Sequence, residues 1–152
     1  MKFPKTTLSV LAFLSAAALS PVALAAPTQS VAVSDCWIRG MPGNLPSGGF
    51  FNVKNSSGNP IDLTGVDSDA FGMAMLHQTQ SNGSTSTMVM VDKATVPAGG
   101  TLSFAPGGYH LMLEKPTHPL KVGTKLPLTF TFGDGEKITA QCTVKAAGTM
   151  AK

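Results

Sequence analysis

The sequence is poor in charged residues, and this scarcity limits the functions open to it. Only 12% of its 152 residues are Asp, Glu, Lys or Arg, and the net charge is +3. A protein that binds nucleic acid through a basic face needs a denser cluster of Lys and Arg. The sequence also lacks a P-loop and a GxGxxG segment opening a helix, which argues against a nucleotide-binding α/β enzyme. We therefore expect no nucleic-acid partner.

Cysteine is also scarce. The chain has two cysteines, Cys36 and Cys142, and no CxxC motif, which argues against a thioredoxin-like catalyst. Three interpretations of the pair remain open: one disulfide between the first and last strands, two soft copper ligands, or a redox-active pair. In an oxidising compartment, where disulfides persist, the disulfide is the simplest of the three.

Glycine and proline, in contrast, are abundant. The chain has 16 Gly and 11 Pro, and 43% of its residues are hydrophobic. Turn residues separate short segments in which apolar and polar residues alternate, a pattern typical of an all-β sandwich or barrel. The predicted strands cover residues 31–39, 49–54, 61–66, 71–78, 87–91, 101–104, 110–114, 126–132 and 137–144.

The first 25 residues have the pattern of a secretory signal peptide. Lys2 and Lys5 precede an apolar segment from Leu8 to Leu19, and Ala23-Leu24-Ala25 provides a small-x-small cleavage site. The alternative is a transmembrane anchor, but the apolar segment is shorter than the ~20 residues that a spanning helix needs. We expect residues 1–25 to be removed and the product to lie in the periplasm without spanning a membrane. It would comprise a β-domain over residues 26–145 and a flexible tail over 146–152.

Four Met and His residues form the most informative pattern in the chain. His77, Met88, His110 and Met112 are spaced as H-x10-M-x21-H-x-M. His110 and Met112 are two residues apart on a predicted strand, so both point to one face. Neutral imidazole and thioether suit the soft Cu(I) ion, whereas Mg²⁺ and Ca²⁺ prefer oxygen ligands. Taken singly, each Met could equally be an ordinary core residue and each His a surface residue.

The four-residue spacing resembles the copper-binding motif of the periplasmic copper chaperones of the PCu(A)C type. The resemblance covers nearly all of the chain after the signal segment. Its other matching segments are Trp37-Ile-Arg39, Gly48-Gly-Phe50, Leu76-His77, Val96-Pro-Ala-Gly-Gly100, Pro106-Gly-Gly-Tyr-His-Leu-Met-Leu113, Pro119-Leu120, Gly123 and Phe132-Gly-Asp-Gly135.

The resemblance implies a fold, a cargo and a partner. The fold is a cupredoxin-like Greek-key β-sandwich or barrel with a shallow site for one Cu(I). The resemblance assigns the ligand roles to His77, Met88, His110 and Met112. It also implies delivery of copper to a periplasmic acceptor, such as the copper subunit of cytochrome oxidase or its assembly factor. A weakly charged domain of this size could work as a monomer.

Some residues near the motif depart from the family pattern or have no assigned role. The segment after His77 is unusually polar, and Cys36 and Cys142 lie outside the motif. Met75 and Met90 each lie two residues from a motif residue, so they are either alternative ligands during transfer or apolar cover for the site. We expect Trp37 to pack in the core and His118 to lie in a surface loop.

These observations favour a carrier over an enzyme. The sequence offers no CxxC motif and no acid–base pair for catalysis. Two alternatives remain beside copper delivery: an exported β-sandwich interaction protein in which the Met and His are incidental, and a copper storage or resistance protein.

Overall fold

A computed structural model describes residues 29–150 of the chain. The predicted signal peptide, its cleavage site before Ala26 and the last two residues of the predicted tail lie outside this range. Within it, no helix is long and apolar enough to cross a membrane.

The described residues form ten β-strands, as the all-β prediction requires. The strands are β1 (Val31–Arg39), β2 (Ser47–Asn55), β3 (Ile61–Asp67), β4 (Phe71–Ser81), β5 (Ser86–Met90), β6 (Ala94–Val96), β7 (Thr101–Phe104), β8 (Tyr109–Pro116), β9 (Lys125–Phe132) and β10 (Lys137–Lys145). Nine of them overlap the predicted strands. The sequence pattern missed β6, because three residues are too few to show an alternation.

The strands pair in one sheet in the order β5-β4-β8-β7-β2-β1-β10-β9-β3-β6, with a further pairing between β8 and β2. Strands distant in sequence, such as β4 and β8 or β1 and β10, lie side by side, as the long connections of Greek-key folds require. The sheet folds over a core in which the ring of Phe51 lies 4.3 Å from that of Phe104 and 4.6 Å from that of Phe130. The all-β sandwich prediction is thereby confirmed.

A bulge in β1 decides which side chains face this core. Asp35 has a φ of 53°, and the pairing of β1 with β2 shifts register between Ser34 and Trp37. The extra residue reverses the alternation, as bulges do. Cys36 and Ile38 therefore pack with the core, while Trp37 lies on the opposite face of the sheet.

Trp37 is buried, as the prediction of core packing requires, but it packs on the face of the sheet opposite the main core. Trp37 is 9% exposed, but it is not part of the main apolar cluster. Its ring centroid lies 4.5 Å from that of Phe50, its partner on β2, and the side chains of Arg39 and Lys145 cover the ring. Trp37 thus belongs to a separate aromatic pair on the outer face of the sheet.

Cys36 and Cys142 form a disulfide in the structure. It links β1 to its parallel neighbour β10 with a Cα–Cα distance of 4.5 Å, and Cys142 is fully buried. The two half-cystines are 106 positions apart in sequence. The bond therefore closes nearly the whole described chain into one loop.

We predict that Cys36→Ala/Cys142→Ala lowers the free energy of unfolding by about 3–4 kcal/mol, because a long cross-link strongly restricts the unfolded chain. Urea unfolding of the variant beside oxidised and reduced wild type would measure the loss. The reduced wild type retains both sulfur atoms, so it separates the effect of the cross-link from the effect of truncation. Equal stability of oxidised and reduced wild type would contradict the prediction.

Candidate metal centre

Strands β5, β4 and β8 place Met and His side chains on one face of the sheet. His77 on β4 lies opposite His110 on β8 and opposite Met90 on β5. Met75 lies opposite Met112. Direct cross-strand partners, and residues two apart on a strand, share a face. All four motif residues, together with Met75 and Met90, therefore belong to the same face.

Alternating leucines hold this face in place. Leu76 on β4 and Leu111 and Leu113 on β8 point to the other side of the sheet, where they are almost completely buried in the core. Because the side chains of a strand alternate, burial of the leucines directs His77 and His110 outward. The core thus determines on which side of the sheet the motif residues lie.

Three of the four predicted ligands line one open cavity. Met88, His110 and Met112 surround a space of about 200 Å³, together with Thr79 and Phe50. His77 does not line it, but its ring centroid lies 5.7 Å from that of His110 in an edge-to-face arrangement. The structure therefore brings three motif residues to the cavity and places the fourth beside it.

The exposure of the two motif methionines argues against an ordinary core role. Met88 is 60% exposed and Met112 is half-buried, and neither belongs to the apolar core. Met90 is 65% exposed on the same short strand. A methionine whose role is purely structural would normally bury its apolar side chain, whereas these thioethers are exposed beside imidazoles.

The turn before β8 orients the His110 ring. Nδ1 of His110 lies 3.0 Å from the carbonyl oxygen of Gly108, which accepts its hydrogen bond when the proton is on Nδ1. The backbone N–H of Thr79 donates to the same carbonyl, also at 3.0 Å. In this tautomer Nε2 keeps its lone pair and is free to coordinate a metal. The turn itself needs a glycine at Gly107, where φ is 85°.

The surroundings of His77 favour its neutral form. Burial lowers the pKa of His77, the nearby His110 lowers it further, and Glu114 acts in the opposite direction. Its Nδ1 is buried and has no hydrogen-bond partner in the described part of the protein. A buried, unpaired imidazole nitrogen is costly unless it binds something. A soft metal ion at the site would supply that partner.

The donor set distinguishes among metals. Between residues 29 and 150, no three His, Cys, Asp or Glu side chains lie close enough together to hold a metal ion. Zinc sites and hard-cation sites are built from those residue types. Two imidazoles and two thioethers without a carboxylate or thiolate fit Cu(I) instead. The sulfur atoms of Cys36 and Cys142 are joined to each other and are not part of this set.

Sequence reasoning missed the surroundings of the cavity on the β1–β2 side. Arg39 and Phe50 line the same cavity as the motif residues, and so does Gly48. A Cβ atom at Gly48 would lie 2.9 Å from the Phe50 ring, so the absence of a side chain there lets the ring cover the strand. Simple alternation along β1 does not predict this arrangement, because the bulge changes which side chains face outward. The signal that could have found it is the family resemblance, which includes the segments Trp37-Ile-Arg39 and Gly48-Gly-Phe50.

Comparison with known proteins identifies relatives over the whole β-domain. A family model described as "Putative lipoprotein LpqE-like" matches residues 31–144. "Putative lipoprotein Lxx21020" of Leifsonia xyli subsp. xyli is 34% identical over 116 residues, which are 76% of this chain and 69% of that protein. "Uncharacterized protein RP573" of Rickettsia prowazekii is 32% identical over 86 residues, 56% of this chain and 48% of the relative. The matched region thus spans about half of this second relative.

Solved structures share the fold. The copper-bound PCuAC domain from PmoF2 matches with a TM-score of 0.66 and 24% identity, over 78% of this chain and 94% of that domain. The solution structure of CuI-DR1885 from Deinococcus radiodurans matches with a TM-score of 0.61 and 31% identity, over 81% of each chain. The first likeness shows the fold alone, whereas the second also extends to the sequence. These matches agree with the predicted resemblance, since domains called PCuAC share the fold. The family model shows that the chain belongs to the LpqE-like family.

Proposed function

We propose that this protein is an exported carrier that holds one Cu(I) through His77, Met88, His110 and Met112. The observation that carries the proposal is the gathering of two imidazoles and two thioethers on one sheet face, beside an open cavity without carboxylates. The carrier passes the ion to a periplasmic copper-site acceptor, for which the copper subunit of cytochrome oxidase or its assembly factor is our candidate.

The chemistry of the donors suits transport rather than catalysis. Four neutral ligands leave the charge of Cu(I) uncompensated, and thioethers are soft donors that match this ion. The cavity is open to solvent, so an acceptor ligand can approach the ion while part of the carrier's ligand set remains attached. No Asp or Glu lines the cavity beside His110 to form an acid–base pair there.

Known relatives support both the cargo and the location. The PmoF2 domain has been solved with copper bound, and the DR1885 structure is described as a Cu(I) form. The family description and the Leifsonia relative carry lipoprotein names, which agrees with export. The signal-peptide pattern of residues 1–25 and the disulfide also fit an oxidising periplasm.

We predict that the protein from Ala26 onward binds one equivalent of Cu(I) tightly under anaerobic conditions. His110→Ala/Met112→Ala should weaken this binding by more than about 100-fold, since loss of a single outer-shell partner already costs ~10–100-fold in metal sites. Competition with a chromogenic Cu(I) chelator measures the affinity. If the double variant still binds Cu(I) tightly, copper binds elsewhere in the protein. If the wild type does not bind Cu(I) at all, the interaction-protein alternative is favoured.

We predict that Met88→Leu weakens Cu(I) binding at least tenfold more than Met90→Leu does. The two residues lie on the same strand and face, and they are 60% and 65% exposed, so each variant controls for the other. A tenfold change corresponds to ~1.4 kcal/mol, a modest value for one lost ligand. The same chelator competition measures both. Equal losses would make Met90 a ligand of equal standing.

We predict that Cu(I) affinity falls as the pH is lowered, because protons compete with the metal for the imidazole nitrogens. The pKa of His77 lies below the ordinary value of about 6.5. Its contribution to Cu(I) affinity is therefore lost at a lower pH than the contribution of an ordinary histidine would be. Chelator competition across the acidic range would show the fall in wild type and a shallower one in His77→Ala/His110→Ala. A fall of the same size in both would refute the imidazole ligands.

A further inference from the structure

On the same face of the sheet as the motif residues, the neighbouring strands β1 and β10 carry two cationic side chains, Arg39 and Lys145. Gly48 on β2 is the direct partner of Met112 on one side and of Arg39 on the other. Arg39 is in turn the partner of Lys145 on β10. Two strand spacings separate the Cα atoms of Arg39 and Met112, a distance of about 10 Å. Because Gly48 has no side chain, only the Phe50 ring lies over the gap between them.

Aromatic rings hold Arg39 in place. Its guanidinium carbon lies 5.1 Å from the centroid of Phe50 and 5.7 Å from that of Trp37, and Nζ of Lys145 lies 4.8 Å from the Trp37 centroid. Both cations are within the ~6 Å at which an aromatic face attracts a positive charge. A stacked guanidinium loses little further freedom when it binds a carboxylate, since its donors are already oriented.

Arg39 has no counter-ion in the described part of the chain. The ion pair found between residues 29 and 150 joins Lys93 to Asp62, and no Asp or Glu lines the cavity that Arg39 shares with the motif residues. Nε of Arg39 is buried without a hydrogen-bond partner in the described residues, so a docking protein would have to use the other guanidinium nitrogens. The cavity edge therefore presents a positive charge that no carboxylate of the cavity lining neutralises. Glu114, on the same face of β8, is not part of that lining.

We propose that Arg39, reinforced by Lys145, receives a carboxylate of the protein that exchanges copper with this site. The inference rests on the proposed function, because it assigns the chemistry of the docking partner. Guanidinium and carboxylate form charge-assisted hydrogen bonds that are roughly twice as strong as those between neutral groups. A partner whose copper ligands lie beside an Asp or Glu would be held with those ligands against Met112 and His110.

The proposed contact also gives transfer a direction. The four ligands are neutral, so loading adds one positive charge to a face that already carries Arg39 and Lys145. An anionic partner is then attracted more strongly to the loaded carrier than to the empty one. After the ion has moved, the attraction decreases and the empty carrier dissociates more readily.

The test compares Cu(I) removal by two chelators with the same 2,9-dimethylphenanthroline core. Bathocuproine disulfonate is anionic and neocuproine is neutral. We expect Arg39→Gln to slow removal by the anionic chelator about two- to fivefold, the size of one exposed charge contact, and to leave the rate with neocuproine unchanged. Arg39→Lys should restore part of the difference. Added salt should reduce the advantage of the anionic chelator in wild type only.

Lys137→Gln is the matched charge control. Lys137 lies at the other end of β10 from Lys145, about 26 Å along the strand, and it is exposed. Its loss should leave both removal rates unchanged. If Arg39→Gln slows Cu(I) removal equally for both chelators, or slows it for neither, the proposed role of Arg39 is overturned. Wild type that fails to take up Cu(I) would instead overturn the proposed function. Trp37 fluorescence reports whether the Arg39 variants keep the packing of this face.

Discussion

The antiparallel register of β4 and β8 is the constraint on which the site depends. It places His77 opposite His110 and Met75 opposite Met112. A shift of one residue between two strands would move every outward side chain to the core side. The buried leucines on the core side make that shift costly, because each would have to leave an apolar environment worth about 1.5–3 kcal/mol. The face that carries the motif residues is therefore specified by leucines on the opposite side of the sheet.

The bulge at Asp35 has a second, equally local effect. It turns Cys36 into the core, where the disulfide ties β1 to β10, and turns Trp37 and Arg39 to the outer face. Because of this one extra residue, Cys36 faces the core while Trp37 and Arg39 face outward. Without it, strict alternation from Val31 would direct Arg39 toward the core. A bulge that redirects a side chain next to a functional site is a common device in β-proteins.

Much of the fold could be predicted from the sequence, because the strands are short, alternating and separated by Gly- and Pro-rich turns. The family resemblance carried by His77, Met88, His110 and Met112 also predicted a common site, and the structure brings three of them to one cavity with His77 beside it. What could not be predicted was the orientation of Trp37, since nothing in the local pattern marks the extra residue of the bulge. The outward orientation of Arg39 was hidden for the same reason. Its cavity neighbours Gly48 and Phe50 lie on β2, the next strand in sequence, and the pairing of β1 with β2 brings them beside Arg39.

The positions of the four donors suggest the order in which a carrier of this kind releases its ion. Met88 lies on β5, a five-residue strand at the end of the sheet, and is 60% exposed. His110 lies on an interior strand, and its Nδ1 is fixed by the Gly108 carbonyl. A ligand on a short edge strand moves at less cost than one held by a hydrogen bond and two neighbouring strands. In the carrier proposed above, Met88 would therefore be the donor that an incoming acceptor ligand displaces first, and His110 the donor that holds the ion longest.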